Sequence, residues 1–223
     1  MPVIPRIITI ANQKGGVGKT TTAINLATAL AAIGERVLIL DVDPQGNAST
    51  GLGIDRRNRE ISSYDVITGG ASVAEATVRT AVPNLGVVPS TLDLLGVEME
   101  IAGMPDRAHK LRKALRQGDT GGVSYVIIDC PPSLNLLTLN AMAAADSVLV
   151  PLQSEFFALE GISQLIDTVE RVNEGFGHPL KIEGILLTMF EPIWATRSTR
   201  LSFLATFVFQ RRHRMVSRQF FMI

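Results

Sequence analysis

Gln13-Lys14-Gly15-Gly16-Val17-Gly18-Lys19-Thr20-Thr21 packs three glycines, two lysines and two hydroxyls into one short segment. Glycines let backbone N–H groups turn inward as an anion nest. An apolar run precedes the segment and an Ala-rich helical pattern follows it. The nest therefore opens onto a helix N-terminus, whose partial positive charge favours phosphate. In such a loop Lys19 neutralises β- and γ-phosphates, and Thr20 offers a hydroxyl to Mg²⁺. The usual phosphate loop carries a glycine six positions before its lysine; that position is Gln13 here. The dinucleotide pattern G-x-G-x-x-G fails too, because its third glycine falls at Thr21. The plainer alternative is an ordinary Gly-rich turn, against which the lysine and hydroxyl in a strand–loop–helix context weigh.

Two carboxylate motifs accompany the loop. Asp41-Val42-Asp43-Pro44-Gln45-Gly46-Asn47 closes a second apolar run. Ligands of parallel α/β sheets bind outside the carboxyl ends of the strands. Two carboxylates two residues apart in extended chain share a face, toward Mg²⁺ or a water near a γ-phosphate. The alternative there is a polar turn. Asp129 closes a third run, Ile127-Ile128-Asp129-Cys130-Pro131-Pro132. An aspartate after an apolar strand is where NTPases hold the Mg²⁺ shell. Alone it says little, but beside a phosphate loop it says more.

These residues need a scaffold. Continuous apolar runs at 6–11, 36–42, 85–88, 125–129, 147–152 and 182–189 read as strands. Helical patterns fill 19–33, 61–67, 72–79, 92–102, 105–117, 134–145 and 157–173. Gly34 is placed to end the first helix, and Pro105 to open the fifth. Unalternated apolar strands separated by helices imply a parallel sheet covered on both faces. The expected fold is a single doubly wound, mostly parallel α/β sheet of the P-loop NTPase type.

Composition agrees with a folded domain. Of 223 residues, 46% are hydrophobic and 19% charged, which excludes intrinsic disorder. One cysteine and three scattered histidines exclude a disulfide scaffold and a zinc or cluster site built within the chain. The expectation is a soluble cytoplasmic protein, with neither a secretory leader nor a spanning helix.

KGGVGKTT, LDVDPQGNAS, VIIDCPPSLNLLTLNA and LVPLQSEFFALEGISQL together resemble the ParA/Soj chromosome- and plasmid-partitioning ATPases. That family belongs to the deviant phosphate-loop class, with MinD and the nitrogenase iron protein. The iron protein needs two cluster cysteines per subunit; the lone Cys130 reads instead as a buried filler. The resemblance implies ATP and Mg²⁺ as ligands. It implies that Lys14 reaches across a nucleotide-sandwich homodimer to the partner's ATP, and that Lys19 is the ordinary phosphate-loop lysine. Gly15, Gly16, Val17, Gly18, Thr20 and Thr21 then line the nucleotide. Thr20 is the Mg²⁺ ligand, with Asp129 an outer-sphere partner through water. Asp43 orients the attacking water. Asp41 is either metal-side support or a loop cap. The implied cycle has an ATP-bound dimer on non-specific DNA, hence nucleoid association, released by slow hydrolysis that a ParB-like partner accelerates. A MinD-like membrane regulator and a catalytically defective relative stand as alternatives.

The resemblance spans about residues 5–190. The expected division is an ATPase domain over 1–192 and an atypical tail over 193–223. That tail holds six Arg, five of the nine Phe, the only Trp and no acid. It is expected to be aberrant relative to the family; the alternative is a basic-aromatic segment for DNA or a membrane surface. Arg107, Lys110, Arg112, Lys113 and Arg116 form either a DNA-facing helix or a solvated one. Phe156, Phe157 and Leu159 read as core.

Overall fold

The computed structural model describes residues 4–153, 158–176 and 179–189. Phe156, Phe157 and the segment 193–223 lie outside the described residues, as does the side chain of Leu159. The strands are β1 Arg6–Ile10, β2 Val37–Asp41, β3 Val78–Arg79, β4 Leu85–Val88, β5 Tyr125–Asp129, β6 Ser147–Gln153 and β7 Lys181–Thr188. The helices are α1 Lys19–Ala32, α2 Asn47–Gly51, α3 Ser63–Thr68, α4 Val73–Ala76, α5 Leu94–Ile101, α6 Lys110–Gln117, α7 Leu136–Ala144 and α8 Ala158–Phe176.

Among the described residues, seven strands run in the order β3-β4-β2-β5-β1-β6-β7. Every pairing is parallel except β3 with β4. The doubly wound sheet expected from the apolar runs is therefore the fold. Alternate residues of each strand feed two cores. Ile7, Leu38, Leu40, Val126 and Ile128 pack beneath α3, α5, α6, α7 and α8. Ile8, Ile10, Ile39 and Ile127 pack with Ala23, Ala27 and Ala31 of α1. The small alanines let α1 lie close over the central strands. Ile127 is fully buried on the middle strand. Ile127→Ala is expected to cost about 3–4 kcal/mol in chemical denaturation and Ile127→Val about 1 kcal/mol.

Several boundaries differ from the sequence expectation. The pattern over 72–79 is helical only to Ala76; Val78 and Arg79 instead pair antiparallel with Val87 and Gly86. The pattern over 105–117 becomes helical only at Lys110. Before it, His109 N–H donates to Asp106 O and Arg107 N–H to Met104 O, so Pro105 lies in turns and does not open the helix. Asn47–Gly51 and the 3₁₀ turn Arg56–Asn58 were not expected. Gly34 takes φ +96 just past α1, as its position implied. Among the described residues, no helix is long and apolar enough to cross a membrane.

Candidate nucleotide site

Parallel pairing brings the motif residues together. Register sets Ile10 beside Asp129, and Asp129 beside Asp41. The loop after β1, Asp129 at the end of β5 and Asp41 at the end of β2 thus emerge side by side.

The loop is pinned at several points. Asn12 Nδ2 donates to Pro151 O at 2.7 Å, and Asn12 Oδ1 accepts from Lys14 N at 2.9 Å. Thr188 Oγ1, at the end of β7, donates to Val17 O at 2.8 Å. Gly16 and Gly18 have φ +75 and +85, which side chains adopt only under strain. Gly15 and Gly16 face open space, where a Cβ would meet nothing within 4 Å. Lys14 is exposed, as is Thr21; Val17 is buried.

Lys19 and Thr20 begin α1, whose N-cap is Gly18. Lys19 Nζ donates to Lys14 O at 2.8 Å, spanning the loop. Burial lowers the Lys19 pKa, while Asp129 and Asp43 pull it the other way. Those opposing effects place the ammonium and both carboxylates within one electrostatic unit.

The two aspartates after β2 differ. Asp41 is fully buried. Its Oδ2 accepts from Ser49 N at 2.8 Å and Ser49 Oγ at 2.6 Å, and its Oδ1 accepts from Asp43 N at 3.2 Å. Burial lifts its pKa to about 6 against those hydrogen bonds. Its oxygens are spent bracketing the loop and the start of α2. Asp43 Oδ1 accepts from Gln45 N at 2.9 Å.

Asp129 is fully buried, and neither of its oxygens meets hydrogen-bond geometry with any described residue. Burial first, then repulsion from Asp41, pushes its pKa up to about 8, although the nearby Thr20 hydroxyl and Lys19 favour the charged form. A buried carboxylate with only the Thr20 hydroxyl and Lys19 nearby to favour its charge is costly, and such a position calls for an explanation. Cys130 is a filler: it is buried, in contact with Thr9 Oγ1 at 3.2 Å, and its pKa is pushed up to about 12. Among the described residues, no three His, Cys, Asp or Glu side chains form a metal cage.

Asn12, Ser49, Arg59, Ser90 and Thr188 shape this site and were not singled out from sequence. Asn12 carried a signal, a polar residue between an apolar strand and the glycines. The others act through contacts distant in sequence.

Residues 5–182 match the AAA domain family AAA_31. The chain is 58% identical over 187 residues to the chromosome partitioning protein ParA of Caulobacter vibrioides, covering 83% of this chain and 70% of that protein. It is 50% identical over 186 residues to the sporulation initiation inhibitor protein Soj of Bacillus subtilis, covering 83% and 73%. A structure of cobyrinic acid a,c-diamide synthase from Mycobacterium smegmatis, with a bound ATP analog and magnesium, superposes with a TM-score of 0.79 at 40% identity, covering 84% and 74%. Both sequence matches exceed 30% identity by a wide margin and span more than two thirds of each protein. The chain therefore belongs to the ParA/Soj family of P-loop partitioning ATPases.

Proposed function

We propose that this chain hydrolyses ATP with Mg²⁺ and uses the cycle to bind and release DNA as a homodimer. The observation that carries this reading is the convergence of Lys19, Thr20, Asp43 and the buried Asp129 beneath an open glycine loop. That convergence suits a magnesium nucleotide. The anion nest and Lys19 accept the phosphates, and Thr20 would hold the metal, with Asp129 acting through water. Mg²⁺ held there would supply neutralisation of the bound phosphates' charge. Asp41 is left out of the metal shell, because its oxygens already serve Ser49 and Asp43. Asp43 orients the attacking water through Oδ2, since Oδ1 is held by Gln45 N. Gly15, Gly16, Val17, Gly18 and Thr21 line the phosphates.

Lys14 acts in trans. It sits exposed on the loop's outer rim, where a second subunit can meet it. A ligand drives dimerisation only by binding the dimer more tightly than the monomer, and a Lys14–γ-phosphate contact across the interface supplies that difference. Hydrolysis removes the contact and frees the subunits. The dimer holds DNA through backbone phosphates, without sequence preference, on the nucleoid in the cytoplasm. A ParB-like protein is the partner that accelerates turnover. The ATPase unit is residues 1–192; the family match and the described sheet both fall within it.

Light scattering and DNA retention test this. Mg-ATP is expected to dimerise the wild-type chain and retain it on DNA, with affinity falling log-linearly in salt. Lys14→Ala should stay monomeric and lose turnover by ~10²–10³-fold, at or below the low end of a trans-acting finger. Asp43→Asn should dimerise but persist on DNA. A wild-type chain that stays monomeric with Mg-ATP overturns the reading.

A further inference from the structure

The loop that carries Asp43 is held by residues outside every phosphate-loop motif. Ser90 lies just past the end of β4, which neighbours β2. Its Oγ donates to Asp43 O at 2.5 Å, and its N–H donates to Ser49 Oγ at 3.0 Å. Ser49 in turn donates to Asp41. One serine therefore ties the Asp43 peptide to the Asp41 bracket.

Ser90 is itself clamped. Arg59 Nη1 donates to Ser90 O at 2.9 Å. Its Nη2 donates to Thr50 Oγ1 and to Ile54 O, both at 2.8 Å, and its Nε to Ile54 O at 3.3 Å. An arginine only 7% exposed is unusual unless its charge and donors are engaged. This guanidinium lies directly over Gly46, where an added Cβ would collide with Nη1 and crowd Ser90 O at 3.2 Å. Gly46 has φ +64 and donates its N–H to Asp43 O at 2.9 Å. The DPQG turn and the Arg59 guanidinium thus share one closely fitted space.

Gln45, on the loop's outer side, is exposed. A cavity of about 220 Å³ lies there, lined by Pro44, Gln45, Arg56, Arg59, Ser90 and Thr91. Hydrogen bonds from Ser90 Oγ and Gly46 N–H fix the Asp43 peptide within that fitted space. Water attack is sensitive to such placement: a 1 Å error in a positioned group costs up to ~10²-fold in rate.

We propose that Ser90 and Arg59 are positioning residues for hydrolysis, which lock the Asp43 peptide and thereby aim its carboxylate. This rests on Asp43 orienting the attacking water.

The full chain is tested as Ser90→Ala and Arg59→Lys, by steady-state ATP turnover and by hydrogen exchange over residues 42–48. Ser90→Ala removes only the hydroxyl; Arg59→Lys keeps the charge but not the planar fork. Both are expected to lower kcat about tenfold or more with KM within about twofold, because binding is spared and water placement is not. Exchange over 42–48 should quicken while the rest of the sheet stays protected. Unchanged kcat and exchange overturn the inference. So does loosened exchange throughout the chain, which makes these residues merely structural. If the wild-type chain hydrolyses nothing, the ATPase reading fails. Exchange over 42–48 then still decides whether Ser90 and Arg59 lock the loop.

Discussion

Mg-ATP is expected to raise the unfolding midpoint of the wild-type chain, and Lys19→Ala to abolish that rise. A ligand that binds only the folded chain stabilises it by about 2.7 kcal/mol at 100 times its dissociation constant. For a domain of this size that is on the order of 5–10 °C. Lys19 is the right residue to remove. It is 7% exposed, and its ammonium spans the loop to Lys14 O with Asp129 and Asp43 nearby. Burial disfavours its charge, so an incoming phosphate gains an ammonium already stripped of much of its water. Differential scanning fluorimetry over an ATP series, with and without Mg²⁺, measures the shift. An equal shift in Lys19→Ala would remove the loop lysine from phosphate binding.

How much of this was legible in sequence follows from what each residue depends on. β1, β2, β5 and β6 were readable because strands buried on both faces must be apolar at every position. The loop was readable because glycine, lysine and threonine must follow one another within a turn. β3 was not: Val78–Arg79 is a strand only because β4 offers it an edge. The start of α6 was not, because Pro105 fits a turn as well as a helix start. Arg59 was hidden in the charged run DRRNRE, which reads as a solvated surface, whereas the fold buries its guanidinium 31 residues from Ser90. Thr188 meets Val17 across 171 residues of chain. No local pattern announces such partners. The roles of Asp41 and Asp43 separated only once their hydrogen bonds were known.

Asp129→Asn is expected to reverse sign with conditions. Without nucleotide, it should stabilise the chain increasingly as pH rises. The folded-state pKa of Asp129 is about 8, against an ordinary 3.8. Between those values the folded chain keeps a proton that the unfolded chain releases. Wild-type stability therefore falls with rising pH, by up to about 1.4 kcal/mol per unit, and levels off above 8. Asparagine resembles the protonated acid in shape and titrates nowhere in that range. Asp41, at about 6, contributes a similar slope only at lower pH. The gap between variant and wild type from pH 6 to 8 thus reports Asp129, and should widen by about 2–3 kcal/mol in urea titrations. Adding Mg-ATP should reverse the order. The cation favours the ionised carboxylate and recovers in the wild type what burial costs, whereas the amide cannot respond. Parallel pH curves would mean that Asp129 is solvated when folded. A Mg²⁺-dependent gain as large in Asp129→Asn as in the wild type would exclude Asp129 from the metal shell.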